Sequence, residues 1–507
     1  MSTSFVMKIG KRHMTAISRA TLAALLAMFL VASSVPSIAQ SFENDLREQT
    51  EQDIIAAVAI LREHHPGISN PYDPGFSQKL DRAEQLALHA AKKVQTQVDR
   101  QFAIAEINRA LADEHAFVQT AFDGSGGQWP GFETVWRGDA LYVSYLAGKG
   151  PPVGSRLLSC DGVHAKQLIR DDVFRLDGRA AEPGQWWQRA GLFFLRGDLS
   201  SGPLPGVCRF ERTTGYVEPV ELHWQPYPME HFERIMTLNR PEPLGLSMRS
   251  HDLVWVSLPT FSPDADGIAS YQTLLDQMSS KRSLIDASRA IILDMRGNKG
   301  GSSSWSRKIA DALWGRNAVG WVLANYFRKT EVWYLADSAN IAHFAAIADD
   351  FHSRGMEDIA EWAAQTSASL GSARQSGERF WKEPYGARLL AKAAPRTPNN
   401  LPPVYVVVDG GCVSACLDAV DTFTRFNGVK LVGAPTSADS EYMEIRREEL
   451  PSGRGSVVLP TKIWIDRPRA PGAAYTPDIP VTDVVWSTDV IMAHIEQDLR
   501  TSAQEPK

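Results

Sequence analysis

The stretch "YVVVDGGCVSACLDAV", residues 405 to 420, begins as an apolar strand, breaks at Asp409-Gly410-Gly411 and resumes as a helix. Ser414 stands just after the break, between Cys412 and Cys416. In an α/β sheet, the loop at the carboxyl end of a buried strand faces the binding crevice. The stretch therefore predicts an α/β domain, and Ser414 is either a helix-capping residue or a reactive hydroxyl.

The chain around this stretch repeats the same alternation from about residue 250 onward. "DLVWVSLPTF" reads as a strand, a helical segment covers 268–278, and "RAIILDMR" and "WSRKIADALW" read as the next strand and helix. Repeated strand–helix units favour a largely parallel or mixed sheet that is covered by helices.

The remaining segments differ in character and predict a multidomain α+β or α/β protein. Apolar residues at helical spacing predict an N-terminal helical region. Short strands with turn signals such as "SCDGV" predict a β-rich domain. Alanines and aromatic residues at helical spacing predict an insertion that fits no sheet. The predicted boundaries are 40–125 for the helical region, 126–230 for the β-rich domain, 245–500 for the core and 331–376 for its helical insertion.

The first 39 residues have the order of a secretory signal peptide. Four cationic residues precede the apolar run 22–31, and Ser37 and Ala39 provide small residues before a cut. The apolar run is shorter than the roughly 20 residues of a membrane span, although an uncleaved anchor is the alternative. We expect a mature chain that starts near Gln40, is periplasmic or secreted, and has no membrane span after cleavage.

The charge balance excludes some partners. The 507-residue chain has a formal net charge of −6, which becomes −10 when the four signal-peptide cations are removed. A chain this acidic lacks the basic surface that nucleic acid or anionic lipid requires. Oligomeric state does not follow from composition.

The four cysteines suit an oxidising compartment because their number is even. Cys160 with Cys208 would link strands of the β-rich domain, and Cys412 with Cys416 would span the turn that carries Ser414. Either pair is equally readable as free buried thiols. A zinc site is disfavoured, because no second Cys or His pair stands at ligand spacing, and we expect neither a metal nor a cofactor.

Two glycine-bearing loops follow apolar strands, "LDMRGNKGGSSS" and "VDGGCVSAC". Glycines there allow backbone N–H groups to approach a ligand oxygen. A phosphate loop is one interpretation, but the G-K-[ST] order is missing. The other is an oxyanion hole, in which the Ala415 N–H beside Ser414 is completed by the N–H of Gly300 or Gly301.

A family resemblance joins these motifs. "LPTF" at 258–261, "IILDMRGNKGG" at 291–301 and "VVVDGGCVSAC" at 406–416 resemble, in that order, the carboxyl-terminal-processing and tricorn-type serine peptidases (S41-like). "PPVGSRLLSCDGVHAKQL" resembles their PDZ-type segment, and "KLVGAPTSAD" and "YTPDIPV" resemble their closing motifs. The resemblance implies a ClpP/crotonase-like catalytic core, a peptide or protein substrate, and Ser414 as the nucleophile.

The general base departs from the processing branch of that family. Its dyad lysine corresponds in position to Asp439, and a carboxylate does not replace an unprotonated amine. The tricorn-like branch uses a histidine in a D-x-H-like turn ahead of the PDZ-type segment, which here implies His115 in "LADEHAFVQ". His164 is the weaker candidate. The family's serine before that histidine is Glu114 here, a second departure.

An acid that orients His115 stays unassigned at this stage. The candidates lie on or near the loop expected to face the site: Asp439, Glu441, Glu444 and Asp466. The sequence thus predicts an exported serine peptidase. Two alternatives are a non-catalytic protein that binds a peptide or ligand on the same fold, and an acyl hydrolase of another family. The latter requires a G-x-S-x-G turn, which "GCVSAC" lacks.

Overall fold

The structure is a computed structural model that describes residues 38–121, 126–176, 178–200, 202–228, 241–391 and 401–502. The predicted signal peptide lies almost wholly outside these residues. Among the helices in the described ranges, none combines the length and the apolar character that a membrane crossing needs.

The N-terminal region is helical, as its apolar spacing predicts. Its helices pack their apolar faces against a sheet formed largely by residues of the second half of the chain, and they share one core with it. Buried Asp53 pairs with Arg100 between the first and third helices, at 2.7 Å. The bounds are α1 Ile38–His64, α2 Phe76–Ala91 and α3 Gln97–Leu111.

The β-rich region contains an antiparallel sheet of order β3-β4-β5-β7-β8, in which β6 also pairs with β5. Cys160 and Cys208 face each other on β5 and β7, and a disulfide joins them, which is one of the two states that the sequence left open. Short β2 and β9 pair beside this sheet. The bounds are β2 Gln128–Trp129, β3 Phe132–Arg137, β4 Ala140–Leu146, β5 Arg156–Cys160, β6 Val163–His164, α4 Ala165–Asp172, α5 Pro183–Arg189, β7 Val207–Glu211, β8 Val217–Glu221 and β9 Gln225–Pro226.

The central sheet has the order β10-β11-β12-β15-β16-β19 and is parallel except at β10. Its middle strands β11, β12 and β15 are buried on both faces, because one core lies on each side under helices. The mixed α/β architecture is therefore confirmed. The strands are β10 Gly245–Arg249, β11 Leu253–Ser257, β12 Ala290–Asp294, β15 Val404–Val408, β16 Val429–Gly433 and β19 Ile479–Pro480. The helices are α6 Ala265–Ser280, α7 Arg282–Ala287, α8 Ser303–Trp314, α9 Arg316–Tyr326, α13 Ala415–Phe423 and α14 Thr488–Ser502.

The second sheet has the order β1-β18-β13-β14, with β17 paired to β18, and it corrects one prediction. The segment 331–376 was expected to be helical throughout and to fit no sheet, but it begins with strand β13. The aromatic and β-branched residues of "EVWYL" pair with both β14 and β18, and this sheet environment outweighs the helical pattern that follows. The bounds are β1 Phe117–Thr120, β13 Glu331–Leu335, α10 Ser338–Ser353, α11 Glu357–Gln375, β14 Phe380–Glu383, α12 Tyr385–Ala391, β17 Tyr442–Glu449 and β18 Gly455–Ile465.

Candidate active site

Residues 409–414 connect buried β15 to α13, and we call this segment the nucleophile turn after Ser414, its candidate nucleophile. Asp409 fixes its start: one carboxylate oxygen accepts the N–H of Gly411 at 2.7 Å, and the other accepts the N–H of Gly297 from the neighbouring loop at 2.8 Å. Ser414 adopts φ 56° and ψ −127°, a conformation that non-glycine residues rarely hold outside functional sites. Its side chain makes no capping hydrogen bond to α13. Ser414 therefore does not act as a helix-capping residue.

Two further contacts brace this turn. A disulfide joins Cys412 to Cys416 and closes a small ring around Ser414. Helix α5 of the β-rich region also lies directly on the turn: a Cβ added at Gly410 would stand 2.4 Å from the carbonyl oxygen of Gly184, and Gln188 donates to the Gly410 carbonyl at 2.8 Å. The β-rich region and the nucleophile turn are thus in tight backbone contact.

The loop after β12 lies against the same turn. A Cβ added at Gly300 would stand 2.9 Å from the Cβ of Ser414 and 3.0 Å from the nitrogen of Ala415, so only glycine fits there. The Gly300 N–H already donates to Asn298 at 2.9 Å. The Gly301 N–H has no acceptor among the described residues, and the Ala415 N–H belongs to the first turn of a helix, where N–H groups lack intrahelical partners. These two donors are available for an oxyanion.

His115 lies on a short turn between α3 and β1. Ala112 ends α3 in the left-handed conformation, and the carboxylate of Asp113 then accepts the His115 backbone N–H at 2.8 Å. The Asp113 Oδ1 is also 3.7 Å from the His115 Nδ1, and this nitrogen is buried without a hydrogen-bond partner among the described residues. Ser440 donates to the other oxygen of Asp113 and so fixes the carboxylate beside the imidazole.

The charges around His115 favour its protonated form. Burial opposes the charge most strongly, but Asp113, Asp439 and Glu114 together outweigh it and raise the pKa of His115 above its usual value. Burial likewise acts to raise the pKa of Asp113, yet the imidazole and the backbone N–H of His115, together with the hydrogen bond from Ser440, hold that pKa below its usual range. Asp113 is therefore a carboxylate at neutral pH, positioned to stabilise an imidazolium.

Asp439, at the place of the family's lysine, supports the nucleophile turn directly. One oxygen accepts the Ser414 N–H at 3.0 Å, and the other accepts from Arg469 at 3.2 Å. Arg469 and Arg467 also pair with Asp418 and Asp421 of α13. A buried cluster of paired charges thus underlies the helix that carries the nucleophile, and Asp439 is one of its members.

The other predicted acids have different partners or surroundings. Glu444 pairs with Lys462 at 3.2 Å, and Asp466 is exposed. Glu441 is half-buried near Asp113, where burial raises its pKa. Glu114 pairs with Arg179 of the β-rich region at 2.6 Å. His164 is exposed and caps α4 through the Lys166 N–H, so it is not beside the nucleophile turn.

One cavity of about 950 Å³ contains the groups described above. Its wall includes Ser414, His115, Gly300, Gly301 and Ala415. Residues separated by about 300 positions in the chain therefore face the same space. Chemically, the arrangement places a hydroxyl, a histidine with a carboxylate partner, and two unpaired backbone donors around one cleft, which are the parts that nucleophilic acyl transfer requires.

The comparisons with known proteins agree with this fold. No family model matches the chain, and no curated protein matches it either. Among solved structures, mature CPAF superposes with a TM-score of 0.58 at 12% identity, covering 90% of this chain and 98% of that one. The CPAF s499a mutant gives 0.56 at 14% identity, covering 90% and 96%. The chain therefore shares its overall fold with CPAF.

The sequence missed Asp113 and Ser440 as members of the site. Asp113 is the first residue of the D-x-H pattern that located His115, so a signal for it was present. Ser440 gave none, because its contact with Asp113 joins residues 327 positions apart.

Proposed function

We propose that the protein is an exported serine peptidase. Ser414 Oγ attacks the scissile carbonyl carbon while His115 accepts the hydroxyl proton. The resulting oxyanion is bound by the N–H groups of Gly301 and Ala415. His115 then returns the proton to the leaving amine as the C–N bond breaks, and water repeats the sequence on the acyl-enzyme.

Asp113 takes the orienting role in this proposal. Its charge favours the imidazolium that forms when Ser414 loses its proton, and its second oxygen is held by Ser440. Asp439 acts differently, since it holds the backbone of Ser414 and is neutralised by Arg469. The peptidase therefore needs no lysine at that place.

The observation that carries the proposal is the conformation of Ser414: a strained residue without a capping bond, set in a cavity with His115 and two available N–H donors. Export is supported by the signal-like residues 1–39 and by the disulfides, which persist in oxidising compartments. The β-rich region, 126–230, is proposed as a PDZ-like domain, and the substrate is proposed to be a peptide or an unfolded chain.

A fluorophosphonate probe tests this proposal, because it labels only an activated serine. We expect covalent labelling of the purified mature protein and none of the Ser414→Ala variant. Ser304→Ala removes another hydroxyl of the same cavity and should label like the wild type. Absence of labelling in the folded wild-type protein would instead favour the non-catalytic binding protein.

A further inference from the structure

The catalytic cavity extends from Ser414 to the helical hairpin of the insertion, α10 and α11. The inner face of this hairpin supplies part of the cavity wall with Ile347, Phe351, Met356, Ile359 and Trp362. Each of these side chains is half-buried, whereas neighbours on the outer face, such as Asp349 and Glu361, are exposed. The hairpin therefore presents an apolar face to the cleft, and Arg354 and Asp358 line the same cavity beside it.

When a ligand covers an apolar face that solvent contacts, binding is favoured by roughly 25 cal/mol for each Å² of apolar surface removed from water. Charged residues of the same wall have ion-pair partners and so attract a charged ligand less: Arg354 pairs with Asp350 at 2.8 Å, and Asp358 pairs with Lys308 at 3.8 Å. Arg388 bonds Glu383 at 2.9 Å, and Lys462 bonds Glu444 at 3.2 Å. This end of the cavity thus favours an apolar group over a free charge.

Lys462 lies among the aromatic residues at the base of the hairpin. Its ammonium lies 5.4 Å from the ring centre of Tyr334, 6.0 Å from that of Trp362 and 5.8 Å from that of Trp464. Its partner Glu444 lies in strand β17 with a φ of 62°, between residues that pair with β18 in one unchanged register. A positive φ at a non-glycine residue is a strained conformation, and such conformations are common at functional sites. The cation ties the insertion to the sheet and fixes the aromatic wall.

We propose that this face is a specificity subsite that takes one bulky apolar side chain of the peptide substrate. The inference rests on the proposed peptidase function, and it assigns the discrimination among substrates to Phe351 and Trp362. The occupant is a residue of the same peptide whose scissile bond reaches Ser414, because both groups line one continuous cavity. Phenylalanine, leucine or methionine at that substrate position would cover the face that is otherwise wet.

The test uses internally quenched octapeptides of Gly, Ala and Ser that carry one Phe at successive positions. We expect the wild type to cleave one of them with a kcat/KM at least about tenfold above that of the peptide without Phe, a difference typical of a filled apolar pocket. Phe351→Ala combined with Trp362→Ala should reduce this ratio below about threefold. Glu361→Ala, on the outer face of α11, should retain the wild-type ratio, and Phe351→Leu should retain most of it.

An unchanged ratio in the folded double variant would overturn the subsite and leave the peptidase intact. If the wild type cleaves none of the peptides, the peptidase proposal fails, and binding decides the subsite instead. Fluorescein-labelled copies of the same peptides are then titrated against Ser414→Ala protein by fluorescence polarisation. Tighter binding of a Phe-containing peptide that is lost when Phe351→Ala and Trp362→Ala are added, and largely retained with Phe351→Leu, supports the subsite, and equal binding of all peptides overturns it. Thermal melts identify any variant that fails to fold.

Discussion

The nucleophile turn, which contains Ser414, and the base turn, residues 112–116 with His115, are held by different sets of contacts. The nucleophile turn follows a fully buried strand that lies between two parallel neighbours, and Asp409 and the Cys412–Cys416 disulfide fix it locally. The base turn is a short connection at the edge of the second sheet, and Ser440 reaches it from 327 positions away. The turn of Ser414 thus combines a local disulfide and carboxylate with distant contacts from Asp439 and α5, whereas the carboxylate beside His115 is local and only its hydrogen bond from Ser440 comes from a distance.

The largest expected effect comes from the nucleophile. Ser414→Ala should lower the rate of peptide hydrolysis by at least about 10⁴-fold, because a triad nucleophile acts as part of a unit. The thermal midpoint should stay within a few degrees, since the hydroxyl makes no capping bond to α13. Rate assays and calorimetry on the two proteins measure both quantities. More than a tenth of the wild-type activity in the variant would remove Ser414 from its role.

The base turn should show its character in the pH profile. The raised pKa of His115 predicts that the rate rises with pH through a midpoint above the ordinary value of about 6.5, because only the neutral imidazole accepts a proton. His115→Ala should lose nearly as much rate as Ser414→Ala. The exposed His164→Ala serves as the control and should keep the wild-type profile. A His115→Ala variant with an unaltered profile would contradict the assignment.

Asp113 should influence both the rate and the midpoint of the pH profile. Asp113→Asn removes the anion that favours the imidazolium, so the rate should fall by about 10²- to 10⁴-fold and the remaining activity should titrate at lower pH. Glu441→Gln neutralises a nearby acid that has no such contact with His115 and should leave the midpoint in place. If both variants shift the profile equally, the effect is one of general charge and not of an orienting partner.

Ser440 should have a smaller effect through Asp113. Ser440→Ala deletes the hydrogen bond that holds the carboxylate, and the rate should fall by about tenfold, consistent with a bond to a charged group. Ser440→Thr retains the hydroxyl and should recover most of that rate. A loss of stability without a change in kcat would show that Ser440 is only structural.

Loss of either disulfide should have the smallest effect on rate, and the two disulfides should differ in how strongly they affect stability and kcat. A model of lost loop entropy gives about 4 kcal/mol for Cys160–Cys208, which closes a separation of 48 residues, and about 2 kcal/mol for Cys412–Cys416, which closes 4. Replacing the first pair by alanine should therefore lower stability more. Replacing the second pair should lower kcat more, since Ser414 lies inside its ring. Denaturant melts compare the stabilities of the two double-alanine variants, and steady-state kinetics compare their kcat values.

Much of the fold was readable from the sequence because its signals are local. Alternating apolar strands and helices predicted the central sheet, and glycines at two strand ends predicted the loops that meet at Ser414. The strand at 331–335 was missed, since its pairing partners β14 and β18 lie far along the chain and its own helical neighbours dominate the local pattern.

The sequence alone determined the candidate reactive groups and their order: Ser414 after a buried strand and His115 in a D-x-H turn, with four cysteines whose pairing it left open. Only the tertiary structure decided which acid serves which group. Asp113 lies beside His115 under a bond from Ser440, while Asp439 is directed to the Ser414 backbone and neutralised by Arg469. The physical reason is that a carboxylate's role depends on its burial and on its partners, and both come from segments distant in the chain.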